Sequence, residues 1–166
     1  MSAAEDRADQ PYQPVEELNP PAERLEHPVL RQLFAYWEAK RGGRMAPARH
    51  EIDPVDFRYA LGWVNLLEVH PGAKDFEFRV FGSLLARVLQ QDTDLTSTAG
   101  TDDAEFHAVA MQDMTRVITE RKPLRIFRDL QTGIRRYRFE VLLLPLSDDG
   151  ETVNMLLTCA IPPLGG

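Results

Sequence analysis

The sequence has one cysteine, Cys159, in 166 residues. A lone thiol excludes an internal disulfide framework and any multi-cysteine zinc site. The four histidines, His27, His50, His70 and His107, form no HxxH or HxxxH pair, so the spacing of a two-histidine metal site is missing as well. No run approaches the ~18 consecutive apolar residues of a membrane-spanning helix. The opening residues, MSAAEDRADQPYQPVEELNPP, contain no apolar stretch of the kind a secretory signal needs. The expected compartment is the cytoplasm, with no membrane partner. Positive charge is also scarce. The 19 Lys and Arg residues face 26 Asp and Glu, a net charge of −7, which argues against nucleic acid as a partner.

What is present is ordinary for a soluble domain: 43% hydrophobic and 27% charged residues. A chain of this length makes one domain that buries about 70% of its unfolded surface. The acids are unevenly spread. Residues 1–27 hold Glu5, Asp6, Asp9, Glu16, Glu17, Glu23 and Glu26 against Arg7 and Arg24, together with Pro11, Pro14, Pro20 and Pro21. Such a segment buries too little to offset its ordering entropy. It reads as a flexible acidic arm ahead of a domain over residues 28–161 and a short tail, 162–166. The arm is either a solvated tail or a docking element for a basic surface.

Periodicity sets the elements. Leu30, Leu33, Phe34 and Trp37 fall at i, i+3, i+4 and i+7, which predicts a helix from Pro28 to a stop at Gly42–Gly43. Asp53 and Pro54 open a short helix over 54–61. Residues 63–70 and 76–82 read as an antiparallel hairpin. A short helix over 83–91, capped by Ser83, and a long one over 102–122 follow, and Pro123 ends the second. Phe106, Ala110, Met114, Val117 and Ile118 share one face of the long helix. Three strands close the chain, over 124–130, 135–146 and 151–161, with Asp148-Asp149-Gly150 as a turn. The whole is an α+β domain with a five-stranded antiparallel sheet.

The order of these elements resembles the PAS superfamily of sensor domains. The wording resembles one branch, the small bacterial PAS-like proteins of the fifth PAS family. The resemblance rests on YW at 36–37 followed by RGGRMAPARHEIDP (41–54), on FEFRVFGSLLARVL (76–89), and on FEVLLLPLSDDGETVNMLL (139–157). It covers about residues 28–161. Ser97, in DLTSTAGTDD, departs from the glycine expected of relatives at that place. The resemblance implies strand order 2-1-5-4-3, helices on one sheet face, an additional N-terminal helix, and a sensory or regulatory role. It does not by itself fix function.

For haem ligation His107 is the single histidine in a predicted long helix, and a lone helix-flank histidine is more often solvated. A flavin photosensor needs a cysteine in the helix after the hairpin, and residues 83–91 have none. Cys159, in the last strand, reads as a small buried apolar group. No cofactor is therefore expected. Asp102, Asp103, Glu105 and His107 could form an acid/base cluster, but acids at a helix start are explained by the helix dipole. No GxSxG elbow exists. The stretch 116–138 holds Arg116, Arg121, Lys122, Arg125, Arg128, Arg135, Arg136 and Arg138 against Glu120 and Asp129. It reads as a charge-paired outer sheet face, a dock for the acidic arm, or a site for an anionic partner or ligand. An inward-facing Arg79 or Arg128 would need a paired acid.

The candidate ligand pocket is lined by Phe78, Val80, Tyr137, Phe139 and Met155 from the sheet and by Leu85, Phe106 and Ala110 from the helices. Plain core packing is the competing reading. The candidate partner surface for a homodimer or a signalling protein is the stripe Leu30, Phe34 and Trp37, with core packing again the alternative. Three functions compete. The first is a single-domain sensor that takes a small molecule or a protein partner and does no catalysis. The second is a small isomerase- or dehydratase-type α+β enzyme using Asp102, Asp103 and His107. The third is a ligand-free structural adaptor.

Overall fold

The computed structural model describes residues 16–69, 76–80, 104–132 and 135–162, and for 76–80, 104–110 and 129–137 it describes the backbone. The short helix over 83–91 with Leu85, the loop with Ser97, and Asp102 and Asp103 lie outside the described residues. So do the side chains of Phe78, Val80, Phe106, Ala110 and Tyr137.

Six strands form one antiparallel sheet in the order β1-β4-β5-β6-β2-β3. They are β1 (Glu16–Leu18), β2 (Val64–Val69), β3 (Phe76–Val80), β4 (Leu124–Thr132), β5 (Arg135–Leu146) and β6 (Met155–Ile161). Setting β1 aside, this is the predicted order 2-1-5-4-3. β1 is the addition. It pairs with the outer edge of β4, Glu17 opposite Arg125 and Leu18 opposite Leu124.

Among the described residues two α-helices flank the sheet, α1 (Pro28–Arg41) and α2 (Ala104–Glu120). α1 begins at the expected proline. His27 caps it, accepting from the Val29 N–H through Nδ1 at 3.2 Å. Gly42 ends it with φ +58°, a backbone region that costs glycine little. Asp53 likewise caps the next segment through the Val55 N–H at 3.0 Å. That segment, Pro54–Trp63, is 3-10 rather than α, and Phe57 breaks it with non-helical angles.

The additional N-terminal helix, α1, covers the face of the sheet opposite to α2. Cross-strand partners share a face and neighbours along a strand alternate. Leu142, Leu144 and Leu146 of β5, Leu157, Cys159 and Ile161 of β6, and Val64 and Leu66 of β2 pack with Leu30, Leu33, Phe34 and Trp37 of α1. This is the outer face. Leu124 and Ile126 of β4, Leu143 of β5, Leu156 of β6 and Leu67 of β2 pack with Met114 and Val117 of α2. This is the inner face.

The stripe of α1 is therefore core and offers no surface to a partner. Leu30, Phe34 and Trp37 are all buried, and the Trp37 indole N–H donates to the Pro145 carbonyl at 2.8 Å. The sheet needed a second cover because both of its faces are apolar over β5 and β6.

Residues 16–27 are not free arm. Beyond β1, Leu25 is fully buried in the outer core. The Glu26 and His27 N–H groups both donate to the Glu140 carboxylate at 2.8 Å.

Candidate functional site

The two sequence segments that are most distinctive meet in space. Arg44 holds Glu51 through two bonds, at 2.6 and 2.7 Å, and also donates to the Lys40 carbonyl at 2.6 Å. The Arg44 guanidinium and the Ala48 N–H hold the Glu51 carboxyl down at about 2. This braces the loop after α1. The hairpin turn after β5 docks on it: the Ser147 N–H donates to the Pro47 carbonyl at 2.9 Å. Asp149 accepts from the Thr152 and Glu151 N–H groups at 2.7 and 2.8 Å, and these bonds, with the Ser147 hydroxyl, lower its carboxyl to about 2. RGGR-to-IDP and LPLSDDG are thus two halves of one structural joint.

Cys159 fits its expected role. It is fully buried on the outer face, and burial pushes its thiol well above the ordinary range, so it stays protonated and unreactive. Among the described residues no group of three His, Cys, Asp or Glu could hold a metal ion. None of the described helices is long and apolar enough to cross a membrane.

The inner face differs from the outer in being mixed. Asp113 of α2 is buried and forms an ion pair with Arg128 of β4. Arg128 shares the inner face with Ile126 and Leu124, and Phe139 sits opposite it in the β4–β5 register. This answers the question of an inward arginine: its charge is met by a helix carboxylate. A row of buried polar side chains runs across the neighbouring strands, with Asn65 opposite Thr158 and Thr158 opposite Leu143. Between the ion pair and this row lie Val141 and Ala160, opposite each other on the two middle strands and only half buried. Val141 and Ala160 are thus two small inner-face residues that their neighbours leave partly open.

The predicted pocket residues divide. Phe139 is fully buried on the inner face, next to Arg128. Met155 is on the other side of the sheet: it pairs with Leu146 and packs against the outer core. The two therefore cannot line one pocket. The β5–β6 turn sets which parity of β6 faces in, and neither strand alone reveals it. In β3 the register places Phe78 opposite Leu67 and Val80 opposite Leu66, residues of opposite faces, because a bulge interrupts the ladder there.

Asp113, Asn65, Thr158, Val141 and Ala160 were missed. A signal existed for Asp113, which lies seven residues after Phe106 and three after Ala110, on the apolar stripe of its helix. Asn65 and Thr158 are polar residues inside the apolar runs WVNLLEV and MLLTCAI, and period-two reading could have paired them.

The family comparison bears on this arrangement. The model of the fifth PAS family, described as PAS domain, matches residues 25–161. The chain belongs to the PAS domain family. It is thereby a module of a sensory and regulatory family. No curated protein matches. Among solved structures, the chain is similar to one described as an RNA-binding light-oxygen-voltage receptor, with 9% identity and a TM-score of 0.48 over 90% of this chain. The chain spans 38% of that receptor chain.

The basic stretch 116–138 is largely engaged within the chain. Glu16 of β1 receives a bond from Arg116 of α2 at 2.7 Å. Arg125, buried on the outer face, donates to Glu140 at 2.8 Å and lies 3.4 Å from Glu17 and 3.9 Å from Glu26. Arg125 and Arg138 also lie over the Phe127 ring, at 4.7 and 5.1 Å. The dock for the acidic arm, one of three readings of this stretch, is what these contacts form.

Proposed function

We propose that this PAS domain senses a small molecule held between α2 and the inner face of the sheet, without catalysis of its own. The observation that carries the reading is the half-open floor of Val141 and Ala160 on strands whose other inner-face neighbours are buried. Phe139 supplies an aromatic wall to the proposed hollow. The Asp113–Arg128 pair and the Asn65–Thr158 row supply its polar edges. Sites of this make-up, apolar with a few converging polar groups, are suited to small ligands.

A ligand acts only through different affinity for two packings of α2 on the sheet. The Asp113–Arg128 pair is a buried charged tie between those two layers, so it is a contact that a bound molecule would strengthen or loosen. The signal then passes on by association, to a second copy or to a protein partner. Of the residues the enzyme reading needs, Asp102, Asp103 and the side chain of His107 lie outside the described residues.

A thermal-shift panel of small carboxylates, nucleobases and aromatic acids tests the reading. At least one class should raise the melting temperature of the natural protein and leave the Ala160→Leu variant, whose hollow is filled, unmoved. A panel that shifts neither protein, or both equally, would contradict it.

A further inference from the structure

The turn between β5 and β6 touches both layers of the domain. Toward the inner face, its Val153 is buried in the same core as Met114 and Val117 of α2. Arg121, the residue after α2, donates to the Glu151 carbonyl at 3.3 Å. Toward the outer face, the Ser147 N–H donates to the Pro47 carbonyl in the loop after α1, at 2.9 Å. Two residues earlier in β5, the Pro145 carbonyl accepts from the Trp37 indole of α1 at 2.8 Å. The end of β2 is held as well, because the Val69 N–H donates to the Asn154 carbonyl at 3.1 Å. We propose that this turn, together with Met45, couples α2 to α1, so that a shift of α2 on the inner face changes the hold on Trp37 on the outer face.

Met45 is the second link. It lies half buried in the loop after α1 and packs against both cores. A side chain outside the sheet that touches both faces lies at the sheet's margin. Here that margin is where the turn docks, two residues along the loop at Pro47.

The turn passes a displacement on rather than absorbing it. Its Ser147 hydroxyl accepts from the Gly150 N–H at 2.9 Å and donates to the Thr152 carbonyl at 2.6 Å. The Asn154 side chain accepts from the Asp148 N–H at 3.0 Å. A segment tied across itself in this way moves as one body, and rigid elements joined by packed side chains carry coupling between distant sites. Met45 complements it. Its unbranched thioether repacks at little cost and keeps both cores filled as the layers shift.

The coupling is a property of the chain itself and is measured without a ligand. Its use in signalling rests on the sensing reading above, so the coupling can fail while a ligand still binds and hold while none does.

Urea unfolding of a double-mutant cycle decides the point. Val117→Ala on the inner face and Trp37→Phe on the outer should be non-additive by at least about fivefold in the unfolding equilibrium constant, where independent sites add to within about twofold. With Met45→Ala in all four chains of the cycle the discrepancy should fall to about twofold or less. Additive effects with Met45 in place, or a discrepancy that Met45→Ala leaves unchanged, would overturn the proposal. Should a variant of the cycle fail to fold, the indole N–H resonances of Trp37 and Trp63 decide it in the Arg121→Ala protein, where the changed side chain is exposed. The Trp37 resonance should move and that of Trp63 should stay. A Trp37 resonance that moves no more than that of Trp63 would likewise overturn it.

Discussion

The two faces of the sheet are covered in different ways. The outer face is packed by aliphatic side chains under α1 and locked at both ends of that helix. At its start Glu140 accepts from the Glu26 and His27 N–H groups and from Arg125. Further along, Trp37 donates to Pro145. The two buried charges there, Arg125 and Glu140, are paired with each other. The inner face carries one buried charged tie to its helix among the described residues, Asp113–Arg128, beside the exposed pair Arg116–Glu16, and leaves Val141 and Ala160 half open. The outer face therefore holds the fold together, and the inner face is the one on which the proposed sensing rests. A domain can afford a loosely filled face when the opposite one is closed.

The largest expected effect breaks the outer face. Trp37→Ala removes a fully buried ring and its hydrogen bond, and should destabilise the domain by about 3–5 kcal/mol in urea unfolding. Next is Glu140→Ala, which strands a buried arginine and two N–H groups at the start of α1. A loss of about 3 kcal/mol is expected, with earlier exchange of the α1 amides than of the α2 amides. Ala160→Leu sharpens the contrast from the other side. Its added methylenes would enter the proposed hollow, so stability should change by less than about 1 kcal/mol while ligand response is lost. A leucine there that costs several times more would show the inner face to be as tightly packed as the outer.

Two smaller effects follow. The Asp149 carboxyl is depressed in the folded state, so its contribution is present above its unfolded value and lost as pH falls through the folded one. The stability difference between the natural protein and Asp149→Ala should thus hold above about pH 4 and shrink toward about pH 2. Chemical denaturation across that window checks it. Glu16→Gln removes an exposed ion pair with Arg116 and should cost no more than about 1 kcal/mol, with the cost reduced further by salt.

The sequence carried the elements well where the cause is local. The α1 boundaries followed from Pro28 and Gly42, the Asp53 cap from its neighbour proline, and the strand order from a family resemblance that the family match supports. It failed where the cause is distant. Glu140 binds N–H groups more than a hundred positions earlier in the chain, and no local pattern announces that. The helix of residues 28–41 has an apolar stripe that reads equally as core or as contact surface until the second apolar sheet face is seen. Met155 was assigned to the wrong side because facing across a hairpin depends on the turn between the strands. The acidic arm was legible as charge, and its alternative reading as a dock was correct for Glu16, Glu17 and Glu26. The entropy argument that left it loose missed Leu25, whose burial fixes the segment.

Native mass spectrometry of gently purified protein tests the central claim most directly, with the denatured sample as reference and the Ala160→Leu variant alongside. The account predicts a small-molecule mass, retained from the source or added from the panel, on the native protein that is absent after denaturation and absent from Ala160→Leu. An identical mass in all three samples, unchanged by any compound that is added, would contradict a sensing face between α2 and the sheet.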